Sequence, residues 1–178
     1  MPELILPHVR LYGSFVEAMT EFAAEGRGGA DDDSTIGHEL RTPPWGTHAG
    51  FVEYVESLLA ASDEATPRPD GYVPDTTLWW VDGDVYLGRI AVRHRLTPAL
   101  RVRGGHIGYD VRPSRRRAGH ATAMLAAVLP IANDLGIDPA LLTCDEGNVA
   151  SRTVIERAGG RLIDTGAGVR RYWVPTAR

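Results

Sequence analysis

The stretch HIGYDVRPSRRRAGHATAML, residues 106–125, constrains this chain more than any other. Ile107, Tyr109 and Val111 alternate with His106, Gly108 and Asp110, the period of a two-faced strand, and Pro113 stops it. From Gly119 to Leu135 helix formers take over, with apolar residues at Ala121, Leu125, Val128 and Leu135. Pro130 should kink that helix or end it early. A strand, a loop holding one glycine and a helix start therefore follow one another. Backbone N–H groups at such a helix start point at one spot, and the helix dipole adds roughly half a positive charge there. An anion belongs in that place. Gly119 and Ala121 keep the approach to the backbone open, and Arg115, Arg116 and Arg117 add attraction and forked contacts. Together these features suit a polyphosphate. Two plainer readings stand beside this one: solvated surface arginines, and a packing role for Gly119.

The rest of the chain supplies further elements. ELILP reads as a short strand, and Val9, Tyr12, Phe15, Val16, Met19 and Phe22 have helical spacing closed by Gly26. GRGGADDDSTIGHELRTPPWG has no period and reads as a loop. A second helix carries Phe51, Tyr54, Val55, Leu58 and Leu59. TTLWWVDGDVYLGRIAVRHRL reads as two strands joined at Asp82-Gly83. PALLTC is a buried-looking strand, NVASRTVIERAGG a helix capped by Asn148 and stopped by Gly159, and GRLIDT and VRRYWV are closing strands.

Composition narrows the chemistry. A length of 178 residues suits one domain, and 43% hydrophobic with 24% charged residues is ordinary globular composition. No apolar run reaches the ~20 residues of a membrane span, and the first ten residues lack the features of a secretory signal, so the expected location is cytoplasmic. The single Cys144 excludes an internal disulfide and a cysteine metal cluster, and its place after ALLT suggests packing; no metal is expected. A net charge of −4 argues against reading the arginine triplet as a nucleic-acid contact. All 19 Lys+Arg residues are arginine. This excludes Schiff-base lysines and the Walker loop, whose Gly-Lys-Ser/Thr is missing, while a Rossmann loop would need G-x-G-x-x-G.

The segment Arg116, Arg117, Ala118, Gly119, His120, Ala121 resembles the R/Q-x-x-G-x-G/A acyl-CoA motif of the GNAT superfamily of N-acetyltransferases. CDEGNVASRTVIERAGGRL resembles the strand, asparagine-capped helix and glycine turn that follow in that family. The longer string 78–174 resembles a bacterial subgroup of predicted acetyltransferases. The resemblance implies an α/β (α+β) fold: a mixed, mainly antiparallel sheet of about seven strands with flanking helices, splayed between the fourth and fifth strands. It implies a single domain over 1–178, with 78–174 the cofactor core and 1–77 the variable acceptor side. Acetyl-CoA would lie in the split. Its pantetheine would pair with backbone near Tyr109, Asp110 and Val111, its pyrophosphate would meet the amides from Arg116 to Thr122, and Asn148 and Ser151 would stand near the pantetheine arm. For Asn148, helix capping is an equal explanation.

The implied reaction is direct attack of a primary amine on the acetyl thioester, with a backbone N–H near Val111 for the oxyanion. Many relatives place a tyrosine seven residues after the capping asparagine to protonate the leaving thiolate, but here that position is Ile155. Tyr172, Ser151 or a water are the substitutes. For the base, Asp145 and Glu146 form one candidate pair and His106 and Asp110 another. Asp31, Asp32, Asp33, Glu39, Glu53 and Glu56 make the first half acidic, and Trp45, Trp79 and Trp80 offer flat walls. The expected acceptor is therefore a small, cationic amine: an aminoglycoside-like antibiotic, a polyamine or an amino acid. A non-catalytic acyl-CoA-binding module is the alternative. Pairing of closing strands would make a homodimer.

Overall fold

The computed structural model describes residues 1–177. Seven strands form two sheets: β1 (Glu3–Ile5), β2 (Asp75–Asp82), β3 (Val85–Arg93) and β4 (Ile107–Val111) in that order, then β5 (Ala140–Asp145), β7 (Val169–Val174) and β6 (Arg161–Gly166). Every pairing within a sheet is antiparallel. Six α-helices surround them: α1 (Tyr12–Ala24), α2 (Thr35–Arg41), α3 (His48–Ala60), α4 (Pro98–Val102), α5 (His120–Asp134) and α6 (Val149–Arg157). The break between the sheets falls between the fourth and fifth strands, where the resemblance had put it.

Strand alternation sorts the core into two layers. Trp79, Val81 and Tyr86 face α1, α2 and α3 together with Phe15, Phe22, Phe51 and Tyr54. Leu78, Trp80, Ile90, Val92 and Ile107 face α5, α6 and the second sheet. All three tryptophans suggested as acceptor walls, Trp45, Trp79 and Trp80, are therefore core residues exposed by 7% or less. The Trp80 indole N–H donates to His120 Nδ1 at 3.1 Å, fastening the first residue of α5 to β2.

Two helices escaped the sequence reading. α2 occupies the supposed loop, because Ser34 Oγ caps it by accepting from Gly37 N–H (3.0 Å) and its Ile36 is fully buried. Its apolar contacts are Ile36 and Leu40, and two positions one turn apart are too few to stand out as a period. The five-residue α4, capped by Thr97 Oγ1 accepting from Leu100 N–H (3.2 Å), bridges β3 and β4 without a buried residue. In the other direction, α5 continues through Pro130, which lies on the exposed side of the helix with Ala126, where a carbonyl freed of its partner meets water.

At its closed end the split is held by His106. Its N–H donates to Leu141 O (2.7 Å), and its Nδ1 accepts from Leu141 N–H (2.9 Å). Gly105 makes this approach feasible: φ is +62°, and a Cβ there would stand 2.3 Å from Leu141 O. Accepting through Nδ1 requires the neutral ring. Burial first, then Arg101 and Arg93, lower its pKa below the ordinary 6.5. His106 is thus a structural staple between the sheets rather than the base once considered. Folding favours the unprotonated ring, so stability is complete above pH 6.5 and falls as the pH drops below that value. Thermal melts should show this loss. His106→Asn, which keeps an acceptor at the same place, should fold and flatten the pH dependence, while His106→Leu should cost about 1–3 kcal/mol by orphaning the Leu141 amide.

Candidate functional site

The loop between β4 and α5 is built to expose its main chain. Pro113–Arg115 form one 3-10 turn that uses the amides of Arg115 and Arg116 on Arg112 O and Pro113 O. The chain then passes through two left-handed residues, Arg117 (φ +64°) and Gly119 (φ +82°), into α5. Among the described residues no acceptor meets the N–H groups of Arg117, Ala118, Gly119, His120, Ala121 or Thr122. Unspent donors at a helix start are the kind of group from which anion-binding concavities are built. The donor set fits a diphosphate.

Of the three arginines, Arg116 plays a different part from the one expected of it, and Arg112 joins it. Glu17, Glu21 and Glu25, spaced by four along α1, face this loop. Arg112, 8% exposed, donates through Nε to Glu21 (2.8 Å), through Nη2 to Glu17 (3.2 Å) and through Nη1 to Ser14 Oγ (3.2 Å). Glu21 also accepts from the Ser114 amide and hydroxyl at 2.9 and 3.0 Å. Burial raises the Glu21 pKa, but the Ser114 and Arg112 hydrogen bonds outweigh it, and the net shift is downward. Arg116 forks onto Glu25 (2.6 and 3.0 Å), while its Nε donates to Val111 O at 3.1 Å. The Arg116 side chain and amide are therefore both engaged inside the protein. The spacing of the three glutamates was the overlooked signal.

Next to the loop, β4 offers an open edge. Arg112 N–H bonds Leu87 O and His106 O accepts from Arg93 N–H, so even-numbered residues face β3. By alternation the backbone groups of Ile107, Tyr109 and Val111 face the split. The Tyr109 side chain crosses it, and its hydroxyl lies 2.9 Å from Ser151 Oγ. Burial pushes the Tyr109 pKa up to about 12 against the opposing Ser151 hydrogen bond. Asn148 Oδ1 caps α6 by accepting from Ser151 N–H at 3.0 Å, as the capping explanation required. Ile155 is fully buried in the core below. An open cleft of about 270 Å³, lined by Thr122, Ala126, Leu129, Arg157 and Ala158 among others, continues the groove between α5 and α6.

The other face of β4 bears Asp110, directed at the N-terminal layer. Its oxygens lie 4.0 Å from Arg89 Nε and 3.7 Å from Arg27 Nη1. Arg89, 5% exposed, gives Nη1 to both oxygens of Glu39 at 3.0 and 2.8 Å, and Glu39 accepts from the Tyr54 hydroxyl at 2.9 Å. Arg27 Nε bonds Asp32 at 2.8 Å. Asp32 is held well below the usual carboxylate range: burial opposes this, and hydrogen bonds from Arg27 and Ser34 prevail. Arg89, Arg27 and Tyr54 were missed as polar-site residues. A charge inside YLGRIAV was the available sign.

The catalytic candidates separate. Asp145 is exposed and paired with Arg103, and exposed Glu146 gives its amide to Gly168 O at 2.9 Å. Tyr172 is 1% exposed, with its hydroxyl 3.3 Å from Glu156, and burial raises its pKa. Cys144 packs in the core, 7% exposed, with its thiol pKa raised first by burial. His106 staples the sheets. Among the described residues, the polar side chains on and across from β4 at this edge are Tyr109, Ser151 and Asp110.

A family model described as an acetyltransferase (GNAT) domain matches residues 34–161. Among solved structures, the microcin C7 self-immunity acetyltransferase MccE, in complex with acetyl-CoA and AMP, superposes with a TM-score of 0.65 at 12% identity, covering 98% of this chain and 92% of that one. RimL, a ribosomal L7/L12 α-N-protein acetyltransferase in complex with coenzyme A, gives 0.66 at 15% identity over 98% and 93%. Mycobacterium smegmatis RimJ, in complex with a CoA disulfide, gives 0.66 at 17% over 97% and 80%. At these identities the likeness is one of fold. A search of curated proteins found no match.

The left-handed pair makes the loop testable. A Cβ on Gly119 would touch nothing within 4 Å, so Gly119→Ala costs only backbone strain, about 1–2 kcal/mol. Calorimetry should show coenzyme A affinity falling about tenfold. Arg117→Gly, which relieves the same strain, should leave affinity within about threefold and not lower the melting temperature.

Proposed function

The chain belongs to the GNAT acetyltransferase family, and from that premise we propose that it moves the acetyl group of acetyl-CoA onto the primary amine of a small acceptor bound on the Asp110 side of β4. The observation that carries this reading is the run of six unpartnered amides, Arg117 to Thr122, beside the open edge of β4. Diphosphate on the amides and pantetheine along Tyr109 and Val111 bring the thioester to the end of β4, next to Asp110.

Acetyl-CoA supplies an acyl carbon on a thiol leaving group. A carbon–nitrogen bond forms as the carbon–sulfur bond breaks, the amine must shed a proton, and the thiolate must gain one. The Val111 amide faces the split, where it can donate to the oxyanion. Asp110 draws in the ammonium and takes up its proton, directly or through water. For an amine two units above ambient pH, deprotonation costs about 2.7 kcal/mol. Ser151 gives a proton to the thiolate and regains one from water by way of the Tyr109 hydroxyl at 2.9 Å, while Asp110 releases the amine's proton to water, so both groups are reset. Burial, which holds the Tyr109 pKa near about 12, keeps that hydroxyl protonated at neutral pH. This pair takes the place left by Ile155 and favours an enzyme over a module that only binds coenzyme.

Acceptor charge follows from how the acidic residues are spent. Asp32 and Glu39 are already paired with Arg27 and Arg89, while Asp31, Asp33, Glu53 and Glu56 are exposed. That arrangement speaks against a polycation and for an amine of one or two charges.

Screening primary amines with acetyl-CoA, read by thiol release and product mass, should find turnover. Ser151→Ala and Tyr109→Phe should each lower kcat by about a hundredfold with coenzyme A affinity changed less than about threefold. Normal coenzyme binding with no thiol release from any amine would instead support the binding-module reading.

A further inference from the structure

The polar cluster on the acceptor side of β4 has donors left over. Arg89 carries five N–H groups. Glu39 takes only Nη1, Asp110 stands 4.0 Å from Nε, and buried Nη2 has no partner among the described residues. The hydroxyl of Tyr86, a fully buried residue whose ionisation feels the charges of Arg89, Asp110 and Glu39, is also unpartnered. Buried donors left unpaired are costly, so they call for acceptor oxygens. A polyamine, which brings only donors, would leave them unpaired.

Beside these donors stands a carboxylate of the opposite character. The Asp110 oxygens have ion-pair neighbours at 3.7 and 4.0 Å but no hydrogen bond of normal length from a side chain. An acceptor-only group and a donor-only group about 4 Å apart are complementary to a ligand with an ammonium and a carboxylate on adjacent carbon atoms.

Resting on the acetyltransferase reading above, we propose that the acceptor is a free α-amino acid: Asp110 holds the α-ammonium, and Arg89, with Tyr86, holds the α-carboxylate. Glu39 is the resident counter-ion of Arg89, which the incoming carboxylate displaces or shares. Placing the amine on Asp110 puts it beside the Val111 edge where the thioester lies. Asp110 touches the reacting nitrogen, whereas Arg89 and Glu39 determine specificity.

The test uses matched trios: an L-amino acid, its carboxamide and the amine lacking the carboxyl group, for example L-phenylalanine, L-phenylalaninamide and phenethylamine. Trios with aliphatic and basic side chains cover the unknown side-chain preference. Binding is measured by calorimetry on protein saturated with coenzyme A, and turnover by thiol release with acetyl-CoA. In at least one trio the free acid should bind about tenfold tighter than both partners. Glu39→Gln should lower the melting temperature yet tighten the free acid severalfold, leaving the plain amine unmoved. Arg89→Met should erase the preference for the acid; if it does not fold, Glu39→Gln and the trios decide alone. Amines or amides that bind as well as the acids in every trio, a Glu39→Gln effect shared by all members, or no binding by any acid would each overturn the proposal. Failure of coenzyme A itself to bind would instead overturn the acetyltransferase reading, and acid binding would then be scored on the coenzyme-free protein.

Discussion

The clamp between α1 and the 112–116 loop is the constraint on which the site depends. A turn that shows six free amides in a row is intrinsically poor structure, since nothing inside it holds its shape and two of its residues are left-handed. The shape must be imposed from outside. Glu17, Glu21 and Glu25 impose it by taking Arg112, Ser114 and Arg116, which turns those groups toward α1 and leaves the main chain toward the split. On the far side, Trp80 fixes His120 and with it the first turn of α5. Charged side chains thus position the anion site, and backbone dipoles would do the binding.

The same division explains what was legible in the sequence. Strand β4, the proline stop, Gly119 and the start of α5 were readable because each is a local property of consecutive residues. The split between β4 and β5 was readable only through the family resemblance. What closes it at one end is a pair of contacts across 35 residues, from His106 to Leu141, and a lone histidine in a strand gives no sign of that use. His106 consequently looked like a base, although Asp145 and Tyr172, the other candidates nearby, are also committed, to Arg103 and toward Glu156. The polar groups at this end of the sheet that the fold leaves less committed are Tyr109 with Ser151, and Asp110, whose ion-pair neighbours stand at 3.7 and 4.0 Å.

The N-terminal half was the less legible part for a physical reason. Its acidic residues read as one negative surface, yet partners drawn from distant elements divide them into two populations. Glu39 and Arg89 are separated by 50 positions, and Arg27 reaches Asp110 across a sheet face. No periodicity records such pairings. α2 has the same character, about two turns held by the Ser34 cap and by Ile36 and Leu40 rather than by a long apolar stripe. Tryptophans posted as walls of a binding site follow the ordinary rule of strand alternation instead, Trp79 on one layer and Trp80 on the other.

The absence of lysine, first useful for what it excludes, also has a constructive side. Arg112 makes hydrogen bonds to Ser14, Glu17 and Glu21 with three different nitrogens, Arg116 joins Glu25 by a two-nitrogen fork while holding Val111 O, and Arg89 serves Glu39 with one nitrogen and keeps another unspent. An ammonium on a flexible stem has one charged point and could not divide itself among partners in fixed directions. Lysine at 112 would release Ser14 or a glutamate, and the loop would lose an anchor. Lysine at 89 could satisfy Glu39 but would have no second, rigidly placed edge for another carboxylate. The planar guanidinium therefore serves two ends: at 112 and 116 it fixes the loop before α5 onto α1, and at 89 it pairs with Glu39 through one nitrogen while Nη2 stays unspent.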